Sequence, residues 1–317
     1  MGAPAEASFP PWAWAVFIGL TVLLLFLDLF VLHRRAREIP FEEALWLSGF
    51  WVAISLVFAG FVWFVAGMDP ALRYLTAYLV EKSLSVDNVF VFAVIFSSFA
   101  VPGQYRYHVL FYGVIGALVF RFLFILAGTA LLSAFEWIVY VFGAFLIFTG
   151  VRMFFKSEEE TDPRDNRAYK LLTRYLPLTD DYKGDNFVVR LDGKLYATPL
   201  LAALVVVEAS DIVFAVDSVP AVLSLTNTTF VAYSAMAFAI LGLRALYFAL
   251  QGLTERFVYL HYGLAAILVF LGVEFTLQGL GVHVPIYASL AFITAVVTGS
   301  ILASLKATRG RDGEAEG

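Results

Sequence analysis

The chain has 317 residues, of which 61% are hydrophobic and only 15% charged, with a mean hydropathy of +0.83. A soluble domain carries about 25% charged residues, so this deficit points to an integral membrane protein. A net charge of −5 without a basic stripe gives no footing for nucleic acid, and the lack of cysteine excludes disulfides, thiolate metal sites and cysteine nucleophiles.

The chain opens on "MGAPAEASFPPWAWAV", which has no basic region ahead of its apolar run and reads as a retained first span. Gly2 follows Met1, but position 6 is Glu6 where a myristoylation site needs Ser or Thr. A helix needs about 20 apolar residues to cross the hydrocarbon core. Nine segments qualify: 12–32, 43–66, 72–99, 107–130, 134–154, 198–224, 229–252, 257–279 and 284–305. Charged or turn-forming breaks such as "HRRAREIP", "GMDP", "VPGQYR" and "SLTNTT" separate them.

With the N-terminus outside, nine crossings put Arg34, Arg35, Arg37, Arg106, the basic residues of 152–196, Arg256, Lys306, Arg309 and Arg311 on the cytoplasmic face. That is 17 of the 21 Lys and Arg, as the positive-inside rule requires. The C-terminus is then cytoplasmic. Of the remaining four, Arg73 lies near the outside, while Lys82, Arg121 and Arg244 fall within spans.

One sizeable loop, 156–196, begins with the polar "KSEEETDPRDNRAYK", which predicts irregular chain. It ends in two β-prone runs around Asp192 and Gly193, which predict a small cytoplasmic β-hairpin. The final "RGRDGEAEG" has no core-forming residue and reads as disordered.

Two parts of the chain repeat. Asp87 in "SVDNVFVF" matches Asp211 in "ASDIVFAV", Arg121 matches Arg244, and Gly150 matches Gly272. The Asp-to-Arg separations are 34 and 33, the Arg-to-Gly separations 29 and 28. Each unit holds three spans, so the copies insert with opposite orientation, the arrangement of many secondary transporters. The fold class is thus an all-α polytopic membrane protein of about nine transmembrane helices with two inverted three-helix repeats. It divides into an N-terminal two-span extension (1–70), the first unit (71–155), the cytoplasmic loop (156–196), the second unit (197–280), and a last span with its tail (281–317).

The leading span of each unit carries acids: Glu81 and Asp87 in one, Glu208, Asp211 and Asp217 in the other. Each costs about 2.5–3.5 kcal/mol at a span centre on insertion scales, and five in matching helices ask for a function. Glu208 and Asp211 lie one turn apart on one face, whereas Asp217 stands about 240° round from Asp211. Convergence on one ion therefore requires a broken helix, and Pro220, which frees the carbonyl of Val216, predicts the break. Asn88, Ser85, Ser210 and Ser218 offer neutral oxygens. Such hard donors suit Mg²⁺, Ca²⁺ and Mn²⁺. The expected metal-binding set is Glu81, Asp87, Asn88, Glu208, Asp211 and Asp217, with Glu81 facing the helix that supplies Glu208 and Asp217. Lys82, Arg121 and Arg244 are the expected charge-pairing or gating residues, Lys82 pairing with an acid of the cluster when the metal is absent. A capping or snorkelling role stays open for the two arginines.

The remaining polar residues read more plainly. His33, His108, His261 and His283 lie near span ends as interface residues, Met153 and Met236 as packing. Asp28 has no repeat partner and reads as structural, and Glu274 and Arg152 as facing the headgroups.

The segments "EKSLSVDNVFVFAVIF", "YHVLFYGVIGALVFRFLFI", "GAFLIFTGVRMF", "YLPLTDDYKGDNFVVRLDGKLYATPL" and "VEASDIVFAVDSVPAV" together resemble the TerC/Alx family of integral membrane proteins. The resemblance covers about residues 10 to 305. It implies an arrangement similar to the LysE-like transporter superfamily and an activity of manganese efflux in a family named for tellurium resistance. The family's acidic motif residues fall on Glu81, Asp87, Glu208, Asp211 and Asp217; Glu274 departs from the pattern, where Lys is expected. The residues alone point to a secondary transporter for a hard divalent cation, with protons as a candidate coupling ion. The resemblance narrows the ion to Mn²⁺ as cargo of a bacterial-type inner (plasma) membrane. The sequence shows no nucleophile–base set or Gly-rich phosphate loop and its histidines are isolated, so no enzymatic activity and no resident cofactor are expected. A membrane assembly factor supporting metalation or insertion of other proteins, and a Ca²⁺/H⁺ exchanger, are the alternatives. No signal for oligomeric state is present.

Overall fold

The computed structural model describes residues 9–28, 40–155, 162–191, 193–250 and 259–315. His33, Arg34, Arg35, Arg37, Asp192, Arg256 and the loop residues 156–161 lie outside the described residues. The helices are α1 (Pro11–Leu27), α2 (Phe41–Ala66), α3 (Met68–Ser98), α4 (Gly103–Ala134), α5 (Ile138–Phe155), α6 (Arg167–Tyr175), α7 (Pro199–Leu225), α8 (Thr229–Leu241), α9 (Leu243–Leu250), α10 (Leu260–Gly279) and α11 (Ile286–Ala315). Among the described residues, seven segments are long and apolar enough to cross a membrane: α2, α4, α5, α7, the α8–α9 pair, α10 and Ile286–Ser304 of α11. The expectation of nine also included α1 and α3. The first is described over 17 residues only. The second has 31 residues, about 46 Å at 1.5 Å per residue, and its apolar character is diluted by Glu81, Lys82 and Asp87.

The starts of the helices are written in the chain. Pro11 and Pro199 occupy the first helical position, where the missing N–H costs nothing. Glu42 and Glu43 sit in the first turn of α2, at the positive end of its dipole. Gly67, at φ 89°, lets α2 stop and α3 start without a linker.

Three helix pairs set the interior. α4 and α7 run in the same direction, with Gly113 against Val207, Gly116 against the Glu208 carboxylate and Gly128 against Leu223. α3 runs in the same direction as α8: Arg73 Nη1 donates to Leu225 O ahead of α8 at 2.7 Å, and Lys82 reaches Ala239 O within it. α5 and α10 are antiparallel and almost in backbone contact. A Cβ on Gly272 would lie 2.7 Å from Gly143 O, and one on Gly150 would lie 2.7 Å from Ala265 O. Small residues permit this approach in a bilayer, where backbone packing substitutes for the hydrophobic effect. Phe17, Phe58, Phe230 and Phe238 fill the space between α1, α2 and α8 beside Tyr74, whose hydroxyl meets Ser55 Oγ at 2.9 Å.

Two helical expectations are corrected. α7 continues through Pro220 to Leu225, so the proline removes one hydrogen bond without splitting the helix. The interruption lies instead at Gly242, between α8 and α9. α11 runs on to Ala315 through a tail whose composition pointed to disorder. Extending a helix already nucleated by a span adds one hydrogen bond per residue fixed.

The loop holds the expected hairpin, β1 (Val188–Leu191) paired antiparallel with β2 (Lys194–Ala197) around Gly193 at φ 79°. From Asp162 on, its polar part is more ordered than expected. Pro163–Asp165 form a 3-10 turn capped by the Asp162 side chain, and α6 follows, capped by Asn166. Arg164 donates to Ser98 O at 2.9 Å and Tyr182 to Phe99 O at 2.7 Å, fastening the loop to the α3–α4 turn.

Candidate functional site

The centre of the molecule is an ion cluster on Arg121. This guanidinium comes from α4 and is 1% exposed. One of its terminal nitrogens, Nη1, donates to Glu81 Oε1 of α3 and, at 3.1 Å, to Ser218 Oγ of α7. The other, Nη2, donates to Asp211 Oδ1 of α7 at 3.2 Å. Glu81 is 0% and Asp211 2% exposed. One fork thus bridges carboxylates from α3 and α7. Planar guanidinium suits this task, and two such bonds fix the geometry as well as the charge.

The cluster is incompletely satisfied. Glu81 Oε2, Asp211 Oδ2 and Arg121 Nε have no hydrogen-bond partner, nor has Glu208 Oε2 one turn before Asp211. The Glu208 carboxylate occupies space that Gly116 leaves open; a side chain there would collide with it. Buried polar atoms without partners are rare. Three carboxylate oxygens in this condition are donors fit for a hard cation. A cavity of about 10 Å³, room for roughly one water, abuts Asp211 between α3, α4 and α7, with Leu243 of α9 at its edge.

The other expected residues disperse. Asp217 turns toward α5, where Thr149 Oγ1 lies 3.4 Å from its Oδ1; α7 stays helical there, so the 240° offset is not undone. Glu81 faces α7, the helix that supplies Glu208 and Asp217, and meets Asp211 there through Arg121. Asn88 is buried and Asp87 half-buried on α3, Asp87 about 240° round the helix from Glu81. Among the described residues no three acidic or imidazole groups converge tightly enough to enclose an ion in this arrangement.

Lys82 does not pair with a cluster acid as expected. Its ammonium points at Ala239 O, 3.5 Å away in the last turn of α8, beside the interruption at Gly242. A cation there complements the negative end of the helix dipole. Arg244 lies in the first turn of the helix after that interruption and pairs with Asp28 at the end of α1. It lies 4.8 Å from the Tyr107 ring and 5.1 Å from the Phe111 ring, a cation–π cage. Tyr107 donates to Asp28 O at 3.0 Å. Glu274 does not face the headgroups: it is 8% exposed and accepts from Ser289 Oγ of α11 at 2.8 and 2.9 Å. The last span covers it, a neighbour that hydropathy does not announce. His261 meets Met153 O at 2.6 Å, His108 lies 4.0 Å from Asp185, and His283 is exposed.

Sequence reasoning missed Gly116 and Thr149 as neighbours of acids. The glycines at 113, 116 and 128, along one side of an otherwise bulky α4, were the available signal for the first; nothing in the chain singles out the second.

The model of the integral membrane protein TerC family matches residues 66–312. The chain belongs to the TerC family. Relatives extend the match over nearly its whole length. An uncharacterized membrane protein of Myxococcus xanthus is 45% identical over 94% of this chain and 93% of its own. A Salmonella typhi protein named "Putative membrane-bound redox modulator Alx" is 44% identical over 95% of this chain and 96% of its own. The protein of that name in Escherichia coli K12 is 44% identical over 90% and 92%. No solved structure matches this TerC-family chain. It is an integral, multi-pass membrane protein.

Proposed function

We propose that this TerC-family protein is a secondary transporter that exports a divalent metal ion, foremost Mn²⁺, from the cytoplasm across a bacterial inner membrane. It acts through acids on α3 and α7, without enzymatic activity or a resident cofactor. The observation that carries the reading is the meeting of Glu81 and Asp211 on one buried arginine, with a bare oxygen left on each carboxylate. Asp87, Asn88, Glu208 and Asp217 complete the ligand set as the helices move, and protons are the proposed counter-ion. The nine-crossing arrangement, N-terminus out and C-terminus in, and the division at residues 70, 155, 196 and 280 belong to the same proposal.

Two inverted repeats fit the packing. α4 runs with α7 just as α3 runs with α8, so each unit's first helix lies along the other's second. Gly143 and Ala265 stand 122 positions apart, as do Gly150 and Gly272, so exchanging the units turns the Gly143–Gly272 contact into the Ala265–Gly150 contact. Transporters place their substrate site where such repeats meet.

Everted membrane vesicles containing the protein are expected to accumulate Mn²⁺, and Asp211→Asn or Asp87→Asn to abolish the uptake. Unchanged uptake in both variants removes the assigned site. A competition panel with Ca²⁺ and Mg²⁺ separates a Ca²⁺/H⁺ exchanger. An assembly factor is the second reading, favoured by Leu171 and Tyr175, which α6 exposes by 56% and 76%. Replacing both with Glu would then abolish function while Mn²⁺ flux stays intact. The redox role named for the relatives, if shared, cannot proceed through thiols of this cysteine-free chain.

A further inference from the structure

We infer that Arg121 is a tethered competitor of the transported ion: its guanidinium holds Glu81 and Asp211 when no ion is bound and must withdraw for a divalent cation to take them. The inference rests on the proposed function of this same site and adds to it the group that empties and refills it.

Three observations carry the inference. First, charge. Two carboxylates with one guanidinium leave −1 in a closed interior, and two carboxylates with a divalent ion leave zero. Glu81 and Asp211 are thus better compensated by the ion than by the arginine, and the two cations repel each other when both stand at one pair of carboxylates. Second, the holding groups coincide with the ion's ligands. Arg121 is retained by Glu81, Asp211 and Ser218, while its Nε has no partner. An ion that takes the two carboxylates removes every charged partner of the arginine at once. Third, the helix that carries the arginine also cradles an acid of the site. α4 meets α7 across Gly113, Gly116 and Gly128, where Val207, the Glu208 carboxylate and Leu223 of α7 fill the space the glycines leave. Withdrawal of Arg121 therefore couples ion binding to displacement of α4 along α7, between helices of the two repeat units.

The consequence is a measurable penalty on affinity. A site that is competent for only a fraction of the time binds with an affinity reduced by that fraction. If Arg121 closes the pair nine-tenths of the time, its removal tightens binding about tenfold.

The test uses purified full-length protein in detergent and Mn²⁺ alone, measured by equilibrium dialysis. Arg121→Gln is expected to bind Mn²⁺ about tenfold tighter than the unmodified protein. In proteoliposomes its KM should fall together with kcat, because nothing then displaces the ion. Arg121→Ala should bind tightly too, and added guanidinium chloride should compete with Mn²⁺ in that variant but not in the unmodified protein. If the neutral variants do not fold, Arg121→Lys carries the test. Lysine carries a point charge without the planar fork that fits both carboxylates, so Mn²⁺ affinity should still exceed that of the unmodified protein. Equal or weaker binding in the recoverable Arg121 variants overturns the inference. If the unmodified protein binds Mn²⁺ and Asp211→Asn abolishes it, the proposed site survives that outcome. If the unmodified protein shows no saturable binding and Asp211→Asn is no different, the proposed site falls and the inference with it.

Discussion

Arg121 and Arg244 match in the sequence alignment of the two proposed units, yet they have different partners. The first bridges Glu81 and Asp211; the second is held by Asp28 from outside the repeats and caged by Tyr107 and Phe111. A buried charge stripped of its partner costs about 3–5 kcal/mol, whereas replacing both partners with apolar groups costs much less. Asp28→Asn should therefore lower unfolding stability in micelles by that amount. The double variant Asp28→Asn with Arg244→Met should be more stable than Asp28→Asn alone. A thermal or denaturant titration of the unmodified protein, both single variants and the double variant checks this, and strictly additive losses would show that the two residues do not interact. The sequence named both arginines and the acids because each is expensive in a bilayer. It did not show which acid each arginine meets, since pairing depends on how α3, α4 and α7 lie together. Lys82 illustrates the same limit: its partner is a backbone carbonyl, and any residue type can supply one.

Helix pairs hold the molecule through glycine at some places and ignore it at others. A Cβ at Gly272 would press on Gly143 O and on Ile147 N at 2.8 Å, both backbone atoms that cannot yield cheaply. Gly272→Ala should cost about 1–3 kcal/mol as an overpacking change. Gly60 of α2 has nothing within 4 Å of the same position, so Gly60→Ala should be neutral or gain up to about 1 kcal/mol from helix propensity. Melting both variants in one detergent separates the two cases, and equal shifts would contradict the α5–α10 seam. The match of Gly150 with Gly272 belongs to the proposed repeat. Their use as contact points was not legible, because a glycine in a span serves equally well as a hinge. Pro220 misled for a related reason. It forbids one hydrogen bond, but packing of the buried C-terminal part of α7 tolerates that loss, and the chain breaks at Gly242 instead.

At the scale of the whole molecule, hydropathy located nearly every long helix, with ends that differ by several residues, and the loop's Gly193 marked its hairpin. The last span's cover over Glu274 and the docking of the loop on the α3–α4 turn were not legible, since both are contacts between segments far apart in the chain. The absence of cysteine makes the orientation simple to test. Single cysteines at the exposed positions Glu136, Asn227 and Leu280 should react with a membrane-impermeant maleimide on intact spheroplasts, and one at Asp180 only after permeabilisation. The reverse pattern would overturn the proposed orientation without touching the ion cluster. The most direct test of the central claim is Mn²⁺ flux through the purified protein in proteoliposomes, with Asp211→Asn beside it. The unmodified protein is expected to move Mn²⁺ saturably and Asp211→Asn to fail; no flux through the unmodified protein, or equal flux through both, would contradict it.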